Sequence, residues 1–591
     1  MGLLQKACET YDAMADRAGR VFESEKEPLA PVSHIMKQPQ IKITLDQNGN
    51  FITAQALDKD TPKIIIPATE ESAGRTSTKA AKLPHPLCDY LRYLLPQNQV
   101  EYQCYVSQLS DWTNSPFTHQ KLRAVLNYVQ GGTILANLSQ AGIDAEEKAM
   151  VCWEVNGLGE TLNGPCWTDQ ALMNAFIDYT AEKQANVEPA LCMVSGEMEV
   201  PAGQHPKGII PTSGNAKLIS ANDSSGFTYR GRFDDAAQAA TVSYTASQKA
   251  HNALRWLVAN QSVPFGGRTF LCWNPQGIPI PKVTGPMGRK GGESAPRSAT
   301  PSQYQKQLRE ALSGWKEDLR PSAGVVIAAF DAATTGRLAV TYYNELLASD
   351  FLDRLHDWEV SCCWENGPYG IQSPSLFQIV SWAFGTPRNG KAEPPDDRIL
   401  KQQMQRMVAC RVDQAPFPLD IERALAERAS HLLLYEGENR QKLLFTACAA
   451  IRKYHFDHFK EEWDMALDKN CSDRSYLFGR LLAVAEAVES STYRTEKDQR
   501  ETNAMRMQKA FALRPMSTWR FLEEKLESYY KQLKPGLRQY YRKMTQEIMD
   551  KLSVSGSSLN QKLDDIYLLG YYHQRAYRNE KPNQNETEEE A

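Results

Sequence analysis

The chain has 591 residues, of which 42% are hydrophobic and 23% charged, and a formal net charge of −4. That length exceeds what one hydrophobic core usually serves, implies roughly two to four domains, and carries enough apolar residues to exclude wholesale disorder. The slightly acidic balance excludes binding of polyanions through overall charge, so any such site has to be a local patch.

No apolar run reaches the roughly eighteen residues that a membrane helix needs, and the opening MGLLQKACET lacks the form of a signal peptide. The expectation is a soluble cytoplasmic protein without a membrane partner. Twelve cysteines are scattered without a C-x-x-C pair, and Cys362 and Cys363 are adjacent. Reduced, mostly buried thiols are expected.

Residues 41–66 alternate apolar and polar side chains around Asn48-Gly49, the sequence form of a β-hairpin. Residues 68–84 are polar and basic. PLCDYLRYLLP predicts a helix over 86–96 that stops at Pro96. Helical periods cover 117–150 and 168–186. The stretch 205–231, HPKGIIPTSGNAKLISANDSSGFTYRG, is polar and glycine-rich and offers no apolar run from which a core could be built. A helix over 245–261 and a strand over 269–274 follow.

Residues 285–303 are rich in Gly, Pro and Ser and contain three cations, the pattern of a mobile loop or linker. GVVIAAFD and GRLAVTYY predict strands over 324–331 and 336–343, and NELLASDFLDRLHDW a helix. From about residue 395 helical periods dominate. The closing NETEEEA is acidic and expected to fray. The fold class is α+β. A mixed body of hairpins and helices spans 1–394, a helical connecting region 395–471, and an all-helical bundle 472–591.

Catalytic signatures are missing from the sequence. There is no phosphate-binding G-x-x-x-x-G-K-[ST], no G-x-S-x-G elbow and no H-E-x-x-H. His455 and His458 in HFDH stand three apart, but no third ligand lies near them, so a structural pair is expected, with no metal and no cofactor.

Polar glycine-rich segments have another use, because hydroxyls, backbone N–H groups and cations hold phosphates. Arg75, Lys79 and Lys82 stand among Thr76, Ser77 and other hydroxyls; Lys207, Lys217 and Arg230 stand with Ser220, Asn222, Phe227 and Tyr229. An ordinary surface loop also fits each stretch. Residues 500–577 hold fourteen Lys and Arg against eight Asp and Glu, interleaved with Tyr529, Tyr530, Tyr540 and Tyr541. Cations beside aromatics suit single-stranded nucleic acid. A solvated basic helix face over a tyrosine-rich core fits equally.

The order of segments resembles the large subunit of the type I-C CRISPR interference complex, the Csd family (Cas8c-type) of Cascade. The resemblance is carried by MGLLQKACETYDAMA, IKITLDQNGNF, PHPLCDYLRYLL, CMVSGEMEVPAGQHPKGI, SYTASQKAHNALRWLV, VVIAAFDAATTGRLAVTYYNEL, LFGRLLAVAEAVE and the closing LLGYYHQRAYR. The chain departs from the family pattern in TSGNAKLISANDSSGFTYRG and in 285–303.

The resemblance implies a non-catalytic subunit near the 5′ end of the CRISPR RNA. It would recognise the protospacer-adjacent motif in double-stranded DNA, promote R-loop formation, help hold the displaced strand and recruit a helicase–nuclease. Its neighbours would be the Cascade backbone and crRNA-processing subunits. Small-subunit copies would arise from an internal start, with Met465 as the candidate. The nucleic-acid contacts expected are Arg75, Thr76, Ser77, Lys79 and Lys82 in the first stretch and Lys207, Lys217, Ser220, Asn222 and Tyr229 in the second. Arg520, Lys531, Lys534, Arg538, Arg542 and Lys543 are expected on the C-terminal helices. The alternatives are a nucleic-acid-processing enzyme, such as a nuclease, and a scaffold that binds only protein.

Overall fold

The structure is a computed structural model that describes residues 2–75, 82–159, 162–220, 233–234, 238, 240–289, 297–493, 500–554 and 559–579. The chain is α+β and divides into two compact units. The first is Met1–Pro279 with Gly324–Glu345, and the second is Ile280–Ala323 with Leu346–Ala591.

The first unit holds two larger sheets. In one, the strands Phe51–Ala56, Ile41–Leu45, Met150–Val155 and Cys88–Tyr90 lie side by side in that order. The expected hairpin is present, but it closes at Ala56. Asp46 accepts the backbone N–H groups of Asn48 and Asn50 at 2.8 Å each, and Gly49 turns the chain at φ 88°. A side chain at Gly49 would also meet the Ala124 carbonyl at 2.5 Å. Ile64–Pro67, expected in the same hairpin, pairs with His34–Lys37 instead. Its four residues are all buried, so it requires cover on both faces.

Two expectations are corrected here. Residues 86–96 are not an α-helix. Cys88–Tyr90 pairs antiparallel with Met150–Val155, and a short 3-10 turn, Leu91–Leu94, follows. Leu87 adopts a left-handed φ of 61°, which breaks any helix, and the helix lies beyond Pro96 at Gln99–Thr113. The span 117–150 is not one helical region. It gives the helices Gln120–Gln130 and Ile134–Gln140, and then enters the strand Met150–Val155. That strand runs parallel to Ile41–Leu45, so the helices between them form the crossover that a parallel pair requires.

The other sheet carries Val263–Phe265, Arg268–Trp273, Gly324–Thr334 and Arg337–Leu347 as consecutive neighbours. The helices Leu3–Ala13 and Tyr244–Gln261 contribute to a common core with it, through Ala7, Tyr11, Ala250, Leu254, Leu271, Trp273, Val326 and Phe330. The Tyr244–Gln261 helix begins on Ser243, whose hydroxyl caps the Ala246 N–H at 3.1 Å.

The second unit is mostly helical, with short hairpins at Trp364–Gln372 and Thr386–Glu393. Described parts of 285–303 are tied down rather than loose. The Met287 N–H donates to Glu359 and the Ile371 N–H to the Ser298 carbonyl. Residues 290–296 and the acidic tail lie outside the described residues.

The centre of this unit is the helix Arg474–Ser490, buried on every face from Ser475 to Glu489. Its polar members find partners, although Arg480 Nη1 has none among the described residues. Arg480 donates to Gln574 at 3.0 Å, Glu486 accepts from the Tyr571 hydroxyl, and Glu489 accepts from Asn503 and Tyr529. The closing helix Tyr567–Asn579 crosses it at very short range through two glycines. A Cβ on Gly479 would stand 1.9 Å from the Tyr567 carbonyl, and one on Gly570 would stand 2.1 Å from the Tyr476 carbonyl. The obstacle is backbone in both cases and cannot rotate away. Gly479→Ala is therefore expected to destabilise the second unit by about 1–3 kcal/mol, as overpacking does, read as a lower denaturation midpoint. An unchanged midpoint would show that the helices separate at little cost.

Candidate nucleic-acid interface

The first polar stretch begins with Thr69, whose hydroxyl accepts the Ser72 N–H at 3.2 Å and starts the turn Glu70–Ala73. Arg75 follows. Its guanidinium donates to both carboxylate oxygens of Asp89, at 2.8 and 2.5 Å, and to the Leu83 carbonyl at 2.8 Å. Asp89 is fully buried and Arg75 only 8% exposed at its side chain. The Asp89 carboxylate also accepts the backbone N–H groups of His85 and Tyr90. Burial alone would lower the Arg75 pKa, but the hydrogen bonds and charge of Asp89 carry it above its ordinary value. Arg75, expected to face a ligand, is thus turned inward as the partner of a buried carboxylate. Lys82 is exposed. Thr76, Ser77 and Lys79 lie outside the described residues.

The second stretch is less core-free than its sequence implied. Ile209, Ile210 and Ala216 are buried in the first unit's core. The chain makes a tight loop there. The Gly208 N–H donates to the Ala216 carbonyl at 2.9 Å, and Gly208 has φ 76°. Lys217 is then stitched to the strand connection at Gly336–Leu338: its N–H donates to the Gly336 carbonyl and its carbonyl accepts the Leu338 N–H. This holds Lys207 and Lys217 half-buried and leaves Ser220 and Arg337 exposed. Asn222, Tyr229, Phe227 and Arg230 lie outside the described residues.

The two stretches meet. The Gln204 N–H donates to the Glu70 carboxylate, and the Gln204 side-chain oxygen lies 2.8 Å from where a Cβ on Gly74 would stand. Ala73 of the first stretch and Lys207 and Gly208 of the second line one cleft of about 380 Å3. Lys37, Lys63 and Arg255 line it too. None of these three was singled out in the sequence, because they sit on unrelated elements.

The cleft concentrates positive charge beyond its own neutralisation. Lys63 pairs with Glu27. Arg255 donates to the Lys207 carbonyl and to Asn252, and burial lowers its pKa to about 10 against the pull of Glu27. Burial, then repulsion from Arg75 and Lys207, pushes Lys37 below its ordinary value. Burial, then repulsion from Lys207, does the same to Lys217, with Glu70 opposing. Cations crowded into one partly buried cleft are stabilised by an incoming anion.

Several histidines of this unit are buried and neutral. His205 is held by the Ser247 hydroxyl at 2.8 Å and His251 by the Ser247 carbonyl at 2.7 Å, and their rings stack at 6.2 Å. Burial lowers His34 and His205 to about 4 and His251 to about 3.

The C-terminal candidates divide. Arg520, Lys531, Lys534 and Lys543 are exposed on the helices Pro515–Tyr530 and Pro535–Val554 or their connection. Arg542 is exposed but pairs with Glu527 at 3.0 Å and lies 5.1 Å over the Tyr530 ring. Arg538 is turned back, donating to the Leu533 carbonyl at 3.2 Å. Tyr530 and Tyr541 are buried, and Tyr529 donates to Glu489. Of the four tyrosines, only Tyr540 remains exposed, at 45%. Phe521, also exposed, carries Lys525 over its ring at 4.8 Å. His455 and His458 bond to Glu461 and to the Phe417 carbonyl.

Arg75→Ala should lower stability by about 3–5 kcal/mol, because it strands a buried charge, whereas Lys82→Ala should leave the denaturation midpoint in place. Equal effects of the two would overturn the assignment of Arg75. Acid should also weaken the first unit. Its histidines hold no proton when folded, but the unfolded chain binds one at each below pH about 6.5. Their contribution is therefore complete above that pH and is lost as pH falls toward 4, at up to about 1.4 kcal/mol per group per pH unit. Hydrogen exchange along Tyr244–Gln261 should accelerate between pH 6.5 and 5, after correction for intrinsic rates; constant protection would contradict it.

No helix among the described residues is long and apolar enough to cross a membrane. A family model described as CRISPR-associated protein (Cas_Csd1) matches residues 8–578. No curated protein matches the chain.

Proposed function

The chain belongs to the Cas_Csd1 family of CRISPR-associated proteins, and from that membership we propose that it is the non-catalytic large subunit of an RNA-guided type I-C surveillance complex. In this reading it binds near the 5′ end of the CRISPR RNA and recognises the protospacer-adjacent motif in double-stranded DNA. It then promotes R-loop formation and recruits the helicase–nuclease. Base pairing reads the long sequence in such systems, and protein reads a short motif and the shape of the duplex.

The observation that carries the reading is the cationic cleft where the two polar stretches meet. Lys37, Lys207 and Arg255 line it and, with Lys217 close to Lys207, supply charge for backbone phosphates, which fix register without reading sequence. The remainder of the second stretch, with Asn222 and Tyr229, continues from Ser220 and supplies side chains suited to base edges. Arg520, Lys531, Lys534, Lys543 and the exposed Tyr540 form a second, single-strand-type surface for the displaced strand.

The candidate internal start, Met465, lies between the helices Glu438–Phe459 and Arg474–Ser490. The helices after it share the core built around Arg474–Ser490. That arrangement supports small-subunit copies made from this point, which would join the backbone and crRNA-processing subunits.

The test is DNA binding by the reconstituted complex on matched targets that differ only in the flanking trinucleotide. Lys207→Ala and Lys37→Ala should weaken all targets alike and each reduce the salt slope by about one. Asn222→Ala should lose flank discrimination, at about 1–3 kcal/mol for a base contact. Unchanged salt slopes in both lysine variants would show that the cleft does not face nucleic acid.

A further inference from the structure

The second unit contains a cavity of about 660 Å3 that plays no part in the reading above. The volume is typical of small-molecule sites. Its walls come from the helix Ala348–Ser361, the start of Pro301–Asp318, the end of Asp397–Val412 with residues 414–415, and the last turns of Glu438–Phe459, with Lys460 and residues 462–465 completing them.

Three guanidiniums line it from three different helices. Arg411 is 1% exposed; it donates to Glu359 at 2.6 Å and to the Gly285 carbonyl at 2.5 Å, and its Nε–H has no acceptor among the described residues. Arg354 donates only Nη1, to the Val412 carbonyl. Arg452 donates Nε to the Trp463 carbonyl and Nη1 to the Val360 carbonyl and the Cys363 sulfur. Neither Arg354 nor Arg452 has a carboxylate partner among the described residues. Carbonyls satisfy hydrogens but leave the charge in place.

Acids line the cavity too, but none pairs with Arg354 or Arg452 among the described residues. Asp457 pairs with Lys453 at 2.8 Å. Asp357, Glu462 and Asp464 are exposed. Two guanidiniums without a carboxylate partner among the described residues, those of Arg354 and Arg452, therefore line one space. Arg354 keeps its Nε–Nη2 edge unused, the fork that meets two oxygens of one phosphate. Phe456 and Trp463 supply apolar wall for the body of a ligand.

We propose that this cavity binds a phosphate group carried on a ligand of nucleotide size, with Arg354 and Arg452 as the anion-holding residues. A free mononucleotide and the phosphorylated end of a strand offer the same chemistry.

The experiment uses the full chain and reads thermal unfolding and titration calorimetry with inorganic phosphate, adenosine monophosphate, adenosine and a 5′-phosphorylated trinucleotide. Adenosine monophosphate should raise the unfolding midpoint saturably, and adenosine should not. Arg354→Gln and Arg452→Gln should weaken the apparent Kd about tenfold or more. Arg354→Lys keeps the charge and loses the fork. It should keep the unliganded midpoint while binding more weakly, so a folding defect in the Gln variants does not hide the result. Competition by the trinucleotide assigns the site to a strand end, and no competition assigns it to a free nucleotide; either supports the site. Failure of every phosphate probe to bind at millimolar concentration overturns it. So does binding that survives in the Arg354/Arg452 double variant and vanishes with Lys207→Ala, which would place the anion in the first unit's cleft.

Discussion

The buried carboxylate of Asp89 decides where the first polar stretch can go. A carboxylate without solvent stays ionised only beside a cation and several N–H groups. The Arg75 fork and the His85 and Tyr90 amides provide these. With Arg75 committed inward, the turn Glu70–Ala73 is held against Gln204, and Ala73 becomes a wall shared with Lys207. The cationic cleft follows from that one ion pair. Lys37 and Lys207 line the cleft without a carboxylate partner among the described residues, whereas Lys63 is taken by Glu27.

How much of this could be read from the residues depends on the range of the forces involved. The hairpin turn at Asn48-Gly49 and the Tyr244–Gln261 helix rest on local geometry and a regular period, and both stand where the pattern put them. Cys88–Tyr90 was misread because its strand character comes from a partner more than sixty residues away, and Leu91, Tyr93 and Leu94 mimic a helical stripe. Met150–Val155 lacks alternation because neither face meets water.

The site was legible only in part for the same reason. Lys207 and Lys217 stand out in a polar stretch, whereas Lys37 on a strand and Arg255 on an apolar helix look unremarkable until the fold gathers them. Arg75 looked like a surface cation because its partner lies fourteen residues ahead, within an apolar run. Tyr530 and Tyr541 resembled stacking platforms and proved to be core. Composition reports that cations and aromatics are present; burial and pairing decide which of them remain available to a partner.

The glycine-to-backbone crossing of Arg474–Ser490 with Tyr567–Asn579 bears on how the chain is made. The central helix of the second unit is synthesised well before the segment that covers its glycine face. That covering helix, Tyr567–Asn579, follows Arg474–Ser490 only after two further long helices. Until it emerges, a helix buried on every face in the finished unit has no lid. The unit can therefore finish folding only after Tyr567–Asn579 has been made, and in the interval it is a natural client for chaperones. A chain cut short before Tyr567 would leave the glycine face of Arg474–Ser490 uncovered.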